Sequence, residues 1–218
     1  MRRIVAVVNS SPRGLAAARR AAMLGAATAA RLFTFHLVPG SSVDDVARFA
    51  MANQADLVVV GQRGGFLEDL FGTGLARRLW QRVDMPVLAV ARDPDGAYRR
   101  VLLATDFSSG AERAAAVVAD WFVDSEVQMT HVCRPLYDGM LSFAAVSEPL
   151  RETHRSRASS FGAELVVVGP RRKSWLERLL WASVSDALLV EAVHDLLIVG
   201  VRRDACGSIA HDRLSRVG

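Results

Sequence analysis

The chain has almost no lysine and very little cysteine. Of its 27 basic residues only Lys173 is a lysine, and the two cysteines, Cys133 and Cys206, have no spacing typical of a metal site or a redox pair. Cysteines in this number and spacing fit a reducing compartment. No run of 18 or more apolar residues occurs, so the sequence predicts no membrane span.

The remaining composition is that of a globular protein. Hydrophobic residues make up 51% and charged residues 23%, which favours a packed core over disorder. The apolar start Ile4–Val8 ends at Asn9 after five residues, so we expect a cytoplasmic protein rather than a secreted one. The net charge is only +4 and the arginines are scattered, with one tight run at 171–173. Nucleic-acid binding is therefore not expected.

An internal repeat determines the domain count. The second copy follows the first by 97 residues at Asn9 and Asp106, and by 110 residues at Arg92 and Arg202. The matched segments are Ile4–Val8 with Val101–Thr105, Ala55–Gly61 with Ala163–Gly169, and Asp84–Arg92 with His194–Arg202. The sequence thus predicts two domains, residues 1–96 and 97–202, followed by a polar tail, residues 203–218.

Each copy has the pattern β-α-β-α-β-α-β, with short, continuously apolar strands. Such strands are typical of a parallel sheet that helices cover on both faces. The predicted fold class is therefore α/β, with two tandem doubly wound, Rossmann-like domains and strand order 2-1-3-4 in each. The apolar edge strands Val87–Ala91 and Leu196–Val199 invite pairing. We expect them to join the copies as an intramolecular pseudo-dimer, with a homodimer as the alternative.

The chemistry-bearing residues follow the strands, where open parallel sheets bind ligands. Glycine lets backbone N–H groups approach a phosphate, and Ser or Thr at a helix start can cap the helix and donate to an anion. An acid after the first strand can accept from an adenine amine or a ribose hydroxyl. Together these features point to a nucleotide, and the candidates are Asn9, Gly61, Gly64, Gly72 and Thr73 in the first copy and Asp106, Gly169, Arg171, Arg172 and Ser183 in the second.

With these residues in place, the chain resembles the universal stress protein family. That family pairs an Asp after the first strand with a loop G-x2-G-x9-G-[ST], which follows a strand like Ala55–Gly61. The resemblance implies an adenine nucleotide, ATP or AMP, and a regulatory role in stress responses. The family usually has five strands, and the third has no candidate here, so each domain is expected to be shortened by one edge strand.

Neither copy carries the full signature. In the first, Asn9 replaces the acid, and seven residues rather than nine separate Gly64 from Gly72. The second keeps Asp106, Gly169, Ser183 and the nine-residue spacing, but Arg172 and Ala182 stand where glycines are expected. The arginines at 171 and 172 can supply positive charge to phosphates. Because loop length outweighs glycine identity, the second copy is predicted to be the better nucleotide site.

Simpler interpretations stand beside these. Asn9 and Asp106 are good helix N-caps, and glycines after strands are ordinary turn residues. His36 and His131 occupy equivalent strand positions and are expected to be packed and hydrogen-bonded rather than catalytic. No catalytic or metal constellation is visible. Three functions remain open: a nucleotide-binding regulator, a nucleotide-free scaffold that acts through protein contacts, and a slow ATPase or self-phosphorylating enzyme.

Overall fold

The structure is a computed structural model that describes residues 1–61, 75–105, 107–131, 160–169 and 194–200. Strands and helices alternate along the first copy and through the start of the second. The strands are β1 (Arg3–Val8), β2 (Arg31–His36), β3 (Leu57–Gly61), β4 (Val87–Val90), β5 (Arg100–Thr105), β6 (Glu126–His131), β7 (Leu165–Val168) and β8 (Asp195–Ile198). The helices are α1 (Pro12–Thr28), α2 (Val43–Ala52), α3 (Leu75–Arg82) and α4 (Ser109–Trp121).

All eight strands form one sheet in the order β2-β1-β3-β4-β8-β7-β5-β6. Within each copy the paired strands are parallel, and their order is the predicted 2-1-3-4. Strands β4 and β8 pair antiparallel and join the copies, as expected of two apolar edge strands. The predicted α/β class is therefore confirmed, with one mostly parallel sheet made of two four-stranded parallel halves.

The edge strand that the family usually has is absent from the first copy. The chain between β2 and β3 is described throughout, and its regular structure is the helix α2. That helix begins at a capping box, in which Ser42 Oγ accepts from the Asp45 N–H at 3.2 Å and Asp45 Oδ2 accepts from the Ser42 N–H at 2.8 Å. The corresponding stretch of the second copy, residues 132–159, lies outside the described residues.

Helices cover both faces of the sheet. On one face α2 and α3 pack on Val5, Val58 and Val87, and on the other α1 and α4 pack on Ile4, Val59 and Leu103. Both layers continue across the junction of the copies, because Ala89 and Leu196 face one layer while Leu88 and Leu197 face the other. The core therefore does not end where one copy ends.

The strand register corrects one detail of the repeat. Val58 pairs with Val87, and its counterpart Val166 pairs with Leu196, so the separation in this strand is 109 residues rather than 110. Asp195 thus stands where the first copy has Pro86. In the antiparallel pair Leu88 lies opposite Leu197, so the pseudo-twofold axis that relates the copies passes between these two leucines.

Candidate functional site

In the first copy, Asn9 lies where β1 ends and α1 begins. Its Oδ1 accepts from the Ser11 N–H at 3.2 Å and from the Ser11 hydroxyl at 2.6 Å. The Ser11 Oγ in turn accepts from the Gly14 N–H at 3.1 Å and caps α1. The N-cap of α1 is therefore Ser11 rather than Asn9, and the Asn9 oxygen supports the cap by accepting from Ser11. In the second copy the N-cap is likewise the serine, Ser108, rather than Asp106.

Gly61, at the end of β3, lies directly against the same helix start. A Cβ at position 61 would stand 2.4 Å from the Arg13 carbonyl oxygen, and one at Gly14 would stand 2.1 Å from Asn9 Oδ1. Neither position has room for a side chain, because the neighbouring atoms include fixed backbone. The structure thus brings Asn9 and Gly61 together around the first turn of α1, and it gives Gly61 a role in the fold.

The second copy repeats this contact. A Cβ at Gly169 would stand 1.9 Å from the Gly110 carbonyl oxygen and 2.7 Å from the Ala111 nitrogen. Gly110 and Ala111 are the residues 97 positions after Arg13 and Gly14. In each copy, the strand-end glycine has no side chain, and the helix that follows the first strand can therefore pack its first turn directly against it. The sequence signal for this contact was the small residue at position 14, and at positions 110 and 111, in the first helical turn.

The equivalent edge of the second copy carries an aromatic pair that sequence reasoning missed. Phe107 is 72% exposed and has φ 55°, a conformation that is rare for a bulky side chain. Its ring centroid lies 4.5 Å from that of His131, with 38° between the planes. The available signal was a large aromatic residue between Asp106 and Ser108, where the first copy has Ser10.

Thr105, the last residue of β5, holds both rings in place. Its Oγ1 accepts from the Phe107 N–H at 3.0 Å, and its carbonyl oxygen lies 3.0 Å from His131 Nδ1. A carbonyl oxygen can only accept, so Nδ1 carries the hydrogen. His131 is thus hydrogen-bonded as predicted, but the prediction that His36 and His131 are packed is wrong. Both are exposed, because β2 and β6 are the outer strands of the sheet.

The other predicted site residues lie outside the described residues: Gly64, Gly72, Thr73, Asp106, Arg171, Arg172 and Ser183. Within the described ranges, no group of three or more His, Cys, Asp or Glu side chains is placed to hold a metal ion. No helix in the same ranges is long and apolar enough to cross a membrane.

The fold is that of an α/β protein built from two four-stranded parallel units that are joined edge to edge. In each unit, small residues at the start of a helix contact the strand-end glycine. The model of the universal stress protein family matches residues 33–91 and 145–200, more than half of the chain. The chain therefore belongs to the universal stress protein family, and the resemblance drawn from the sequence is confirmed.

Solved structures with the same fold match the chain over most of its length. A universal stress protein from Archaeoglobus fulgidus is 13% identical with a TM-score of 0.64, and the match covers 93% of this chain and 97% of that one. A putative universal stress protein from Pseudomonas aeruginosa is 14% identical with a TM-score of 0.56, covering 92% and 93%. A functionally unknown protein from the same species is 14% identical, with a TM-score of 0.57 and the same coverage. At such identities the likeness shows the fold alone. No curated protein matches the chain.

Proposed function

We propose that this protein is a stress-response regulator that binds an adenine nucleotide, ATP or AMP, with the second copy as the better site. Membership of the family supports the stress-response role. The observation that supports a nucleotide ligand is the exposed Phe107 ring, which lies against His131 at the carboxyl ends of β5 and β6. Strained, exposed residues concentrate at functional sites, and aromatic rings of this kind stack on nucleobases.

The proposal gives each candidate of the second copy a role. Asp106 accepts from the adenine amine or a ribose hydroxyl, and Ser183 donates to the phosphates from a helix start. Arg171 and Arg172 supply positive charge to the phosphates, and Gly169 keeps the helix start close to the strand. The corresponding set in the first copy, with its shorter loop, forms the weaker site: Asn9, Gly61, Gly64, Gly72 and Thr73.

Isothermal titration with ATP and with AMP tests this proposal. We expect Phe107→Ala to weaken binding about tenfold, since stacking on one base contributes roughly 1–3 kcal/mol. Asp106→Ala should weaken it to a similar extent, because it removes a charged hydrogen-bond acceptor, which contributes about 1.5–3 kcal/mol. Gly64→Ala, in the first copy, should leave binding unchanged. The matched control is Val123→Ala, which removes another exposed apolar side chain, 77% exposed, in the segment before β6 and therefore near the amino ends of the strands. Absence of binding heat with the parent protein would refute nucleotide binding.

The second candidate is a nucleotide-free scaffold that acts through protein contacts. The contacts of Gly61 and Gly169 favour it, because the fold itself requires both strand-end glycines. Their presence can therefore be explained without phosphate binding. A thermal-shift series separates the candidates. A nucleotide at 100 times its Kd adds about 2.7 kcal/mol to the free energy of unfolding, whereas the scaffold shows no shift with ATP or AMP.

The domain boundaries and the assembly belong to the same proposal. Residues 1–96 and 97–202 act as two domains of an intramolecular pseudo-dimer in the cytoplasm, joined through β4 and β8. Light scattering should then give the mass of one chain, 23.6 kDa. A mass of two chains at micromolar concentration would instead indicate the homodimer.

A further inference from the structure

A buried polar cluster of Arg20, Tyr98 and Asp195 lies against the β4–β8 pair, which we call the seam. The three residues are 4%, 5% and 0% exposed. Asp195 Oδ1 accepts from the Ala91 N–H at 2.8 Å, and Asp195 Oδ2 accepts from the Tyr98 hydroxyl at 2.5 Å. The Arg20 Nε lies 3.5 Å from the same Oδ2. One carboxylate thus connects a helix of the first copy, the connecting segment and a strand of the second copy.

Arg20 also fastens the segment that connects the copies. Its Nη1 donates to the Gly96 carbonyl oxygen at 2.7 Å, and its Cζ lies 3.9 Å from the centre of the Tyr98 ring. The Tyr98 ring packs edge-on against Phe122 of the second copy, with centroids 5.8 Å apart. Burial and the neighbouring carboxylate raise the pKa of Tyr98 well above 10.0, so its hydroxyl keeps its proton and donates.

The cluster occurs on one side of the pseudo-twofold axis only. Asp195 corresponds to Pro86 through the strand register, and Arg20 corresponds to Val117, the residue 97 positions later. A β4–β4 pair between two chains would set Arg20 against Pro86, and a β8–β8 pair would set Asp195 against Val117. Either pairing buries a charge without its partner, which is costly. The pair of β4 with β8 brings the two charges together.

The apolar residues of the seam do not define its register in the same way. Val87–Val90 and Leu196–Ile198 are fully buried aliphatic runs. A slip of two residues would keep every side chain on its own face of the sheet. The same slip would move Asp195 by about 7 Å along the strand, away from the Ala91 N–H, Tyr98 and Arg20. The polar contacts therefore distinguish registers that the apolar contacts do not.

We propose that Arg20, Tyr98 and Asp195 specify the seam: they select β8 as the partner of β4 and fix the register of the pair. Buried ion pairs can often be replaced by apolar residues without loss of stability, and their best attested use is to fix register and partner. The inference does not depend on nucleotide binding.

Disulfide trapping in the full chain, with Cys133→Ser and Cys206→Ser, tests the proposal. Leu88→Cys with Leu197→Cys reports the present register, because directly opposed residues stand within disulfide range. Leu88→Cys with Val199→Cys reports a two-residue slip. Leu88→Cys alone reports a β4–β4 pair between chains, because the pseudo-twofold axis passes beside Leu88 and a symmetric β4–β4 pair would place it opposite Leu88 of the second chain. Intact-mass measurement without reductant quantifies each disulfide.

The cluster is removed by Arg20→Met with Asp195→Leu, and weakened by the amide pair Arg20→Gln with Asp195→Asn. We expect slipped or interchain disulfides to rise at least tenfold over the parent background in the apolar variant, and to an intermediate level in the amide variant. The matched control is Arg19→Met with Asp93→Leu, which removes an adjacent exposed ion pair and should keep the parent pattern. If the slipped and interchain disulfides stay at the parent level in the amide variant, and in the apolar variant where it folds, the proposal is overturned. An apolar variant that fails to fold while the amide variant keeps the parent pattern would also overturn it, because the cluster would then provide stability rather than specificity.

Discussion

The two copies agree where backbone meets backbone and differ where side chains reach solvent. Both place a strand-end glycine, Gly61 or Gly169, against the first turn of the helix that follows the first strand. Both also cap that helix with a serine, Ser11 or Ser108. The residue before the cap differs, however, because it is Ser10 in the first copy and the exposed Phe107 in the second. The comparison shows that the fold constrains the helix–strand contact in both copies, whereas the exposed residues around that contact differ between them.

The seam shows the same relation between the copies. Its register is symmetric about Leu88 and Leu197, yet its buried charge comes from one side, because Asp195 stands where the first copy has Pro86. The aliphatic side chains of β4 and β8 pack symmetrically about the axis. The Asp195 carboxylate, which contacts three buried partners, has no equivalent in β4 and makes the seam asymmetric. Two similar units therefore form a junction that neither unit could form with a copy of itself.

The largest expected effect tests the shared contact. Gly169→Ala and Gly61→Ala should each lower the free energy of unfolding by about 3 kcal/mol, at the upper end of the usual cost of overpacking. The reason is that the added methyl would meet backbone atoms of the helix start at 1.9 and 2.4 Å. Urea unfolding followed by circular dichroism measures the loss.

The control for this prediction is Gly96→Ala. A Cβ at position 96 would meet no heavy atom within 4 Å, and Gly96 has no positive φ, so the change should be neutral or slightly stabilising. Equal effects at Gly96 and Gly169 would show that the close contact does not constrain the fold. A loss at one strand-end glycine alone would show that the two copies differ even in this contact.

Much of the fold could be predicted from the sequence, because it depends on local patterns. Continuous apolar runs identified the strands, and the repeat of Ala55–Gly61 identified the two copies. The one-residue error at Asp195 arose because aliphatic strands align equally well at neighbouring offsets, so only strand pairing could correct it. The cluster of Arg20 and Asp195 joins residues 175 positions apart, and no local pattern announces such a contact.

The candidate site was predicted less completely than the fold. Asn9 and Gly61 do lie together, but their contacts are with the helix start, and a glycine motif alone does not distinguish a helix from a phosphate as the neighbour. Phe107 escaped prediction because its importance lies in its exposure and its left-handed backbone. Both properties depend on how β5, β6 and α4 meet.

A smaller effect is expected from making the first copy more like the second. Asn9→Asp introduces the acid that the second copy has at position 106. The carboxylate can still accept from the Ser11 N–H and hydroxyl, and α1 has no acidic residue in its first turn. A negative charge at a helix start contributes about 0.3–1 kcal/mol. The variant should therefore unfold at slightly higher urea than the parent at pH 7.

The opposite control is Asn53→Asp at the end of α2. Asn53 Nδ2 donates to the Phe49 carbonyl oxygen at 2.8 Å, and a carboxylate there would lose the donor and place negative charge at a helix C-terminus. This variant should unfold at lower urea than the parent. If both Asn→Asp changes shift the midpoint in the same direction, the helix-start explanation for Asn9 is wrong, and the two copies differ at this position for another reason.

The smallest expected effect is a difference between the two strands of the seam in how the free energy of unfolding depends on pH. His194, just before β8, has Nδ1 2.7 Å from the Ala163 carbonyl oxygen, and burial lowers its pKa below the ordinary value of 6.5. Met85, its counterpart through the strand register, does not titrate. Because the unfolded chain binds the proton more readily, the contribution of His194 to stability is fully present above about pH 6.5 and is lost as the pH falls below it.

Urea unfolding of the parent and His194→Gln between about pH 5 and pH 8 measures this difference. The variant should show a shallower loss of unfolding free energy toward low pH, while Met85→Leu should keep the parent slope. Parallel curves for the parent and His194→Gln would mean that the second half of the seam is no more sensitive to protons than the first.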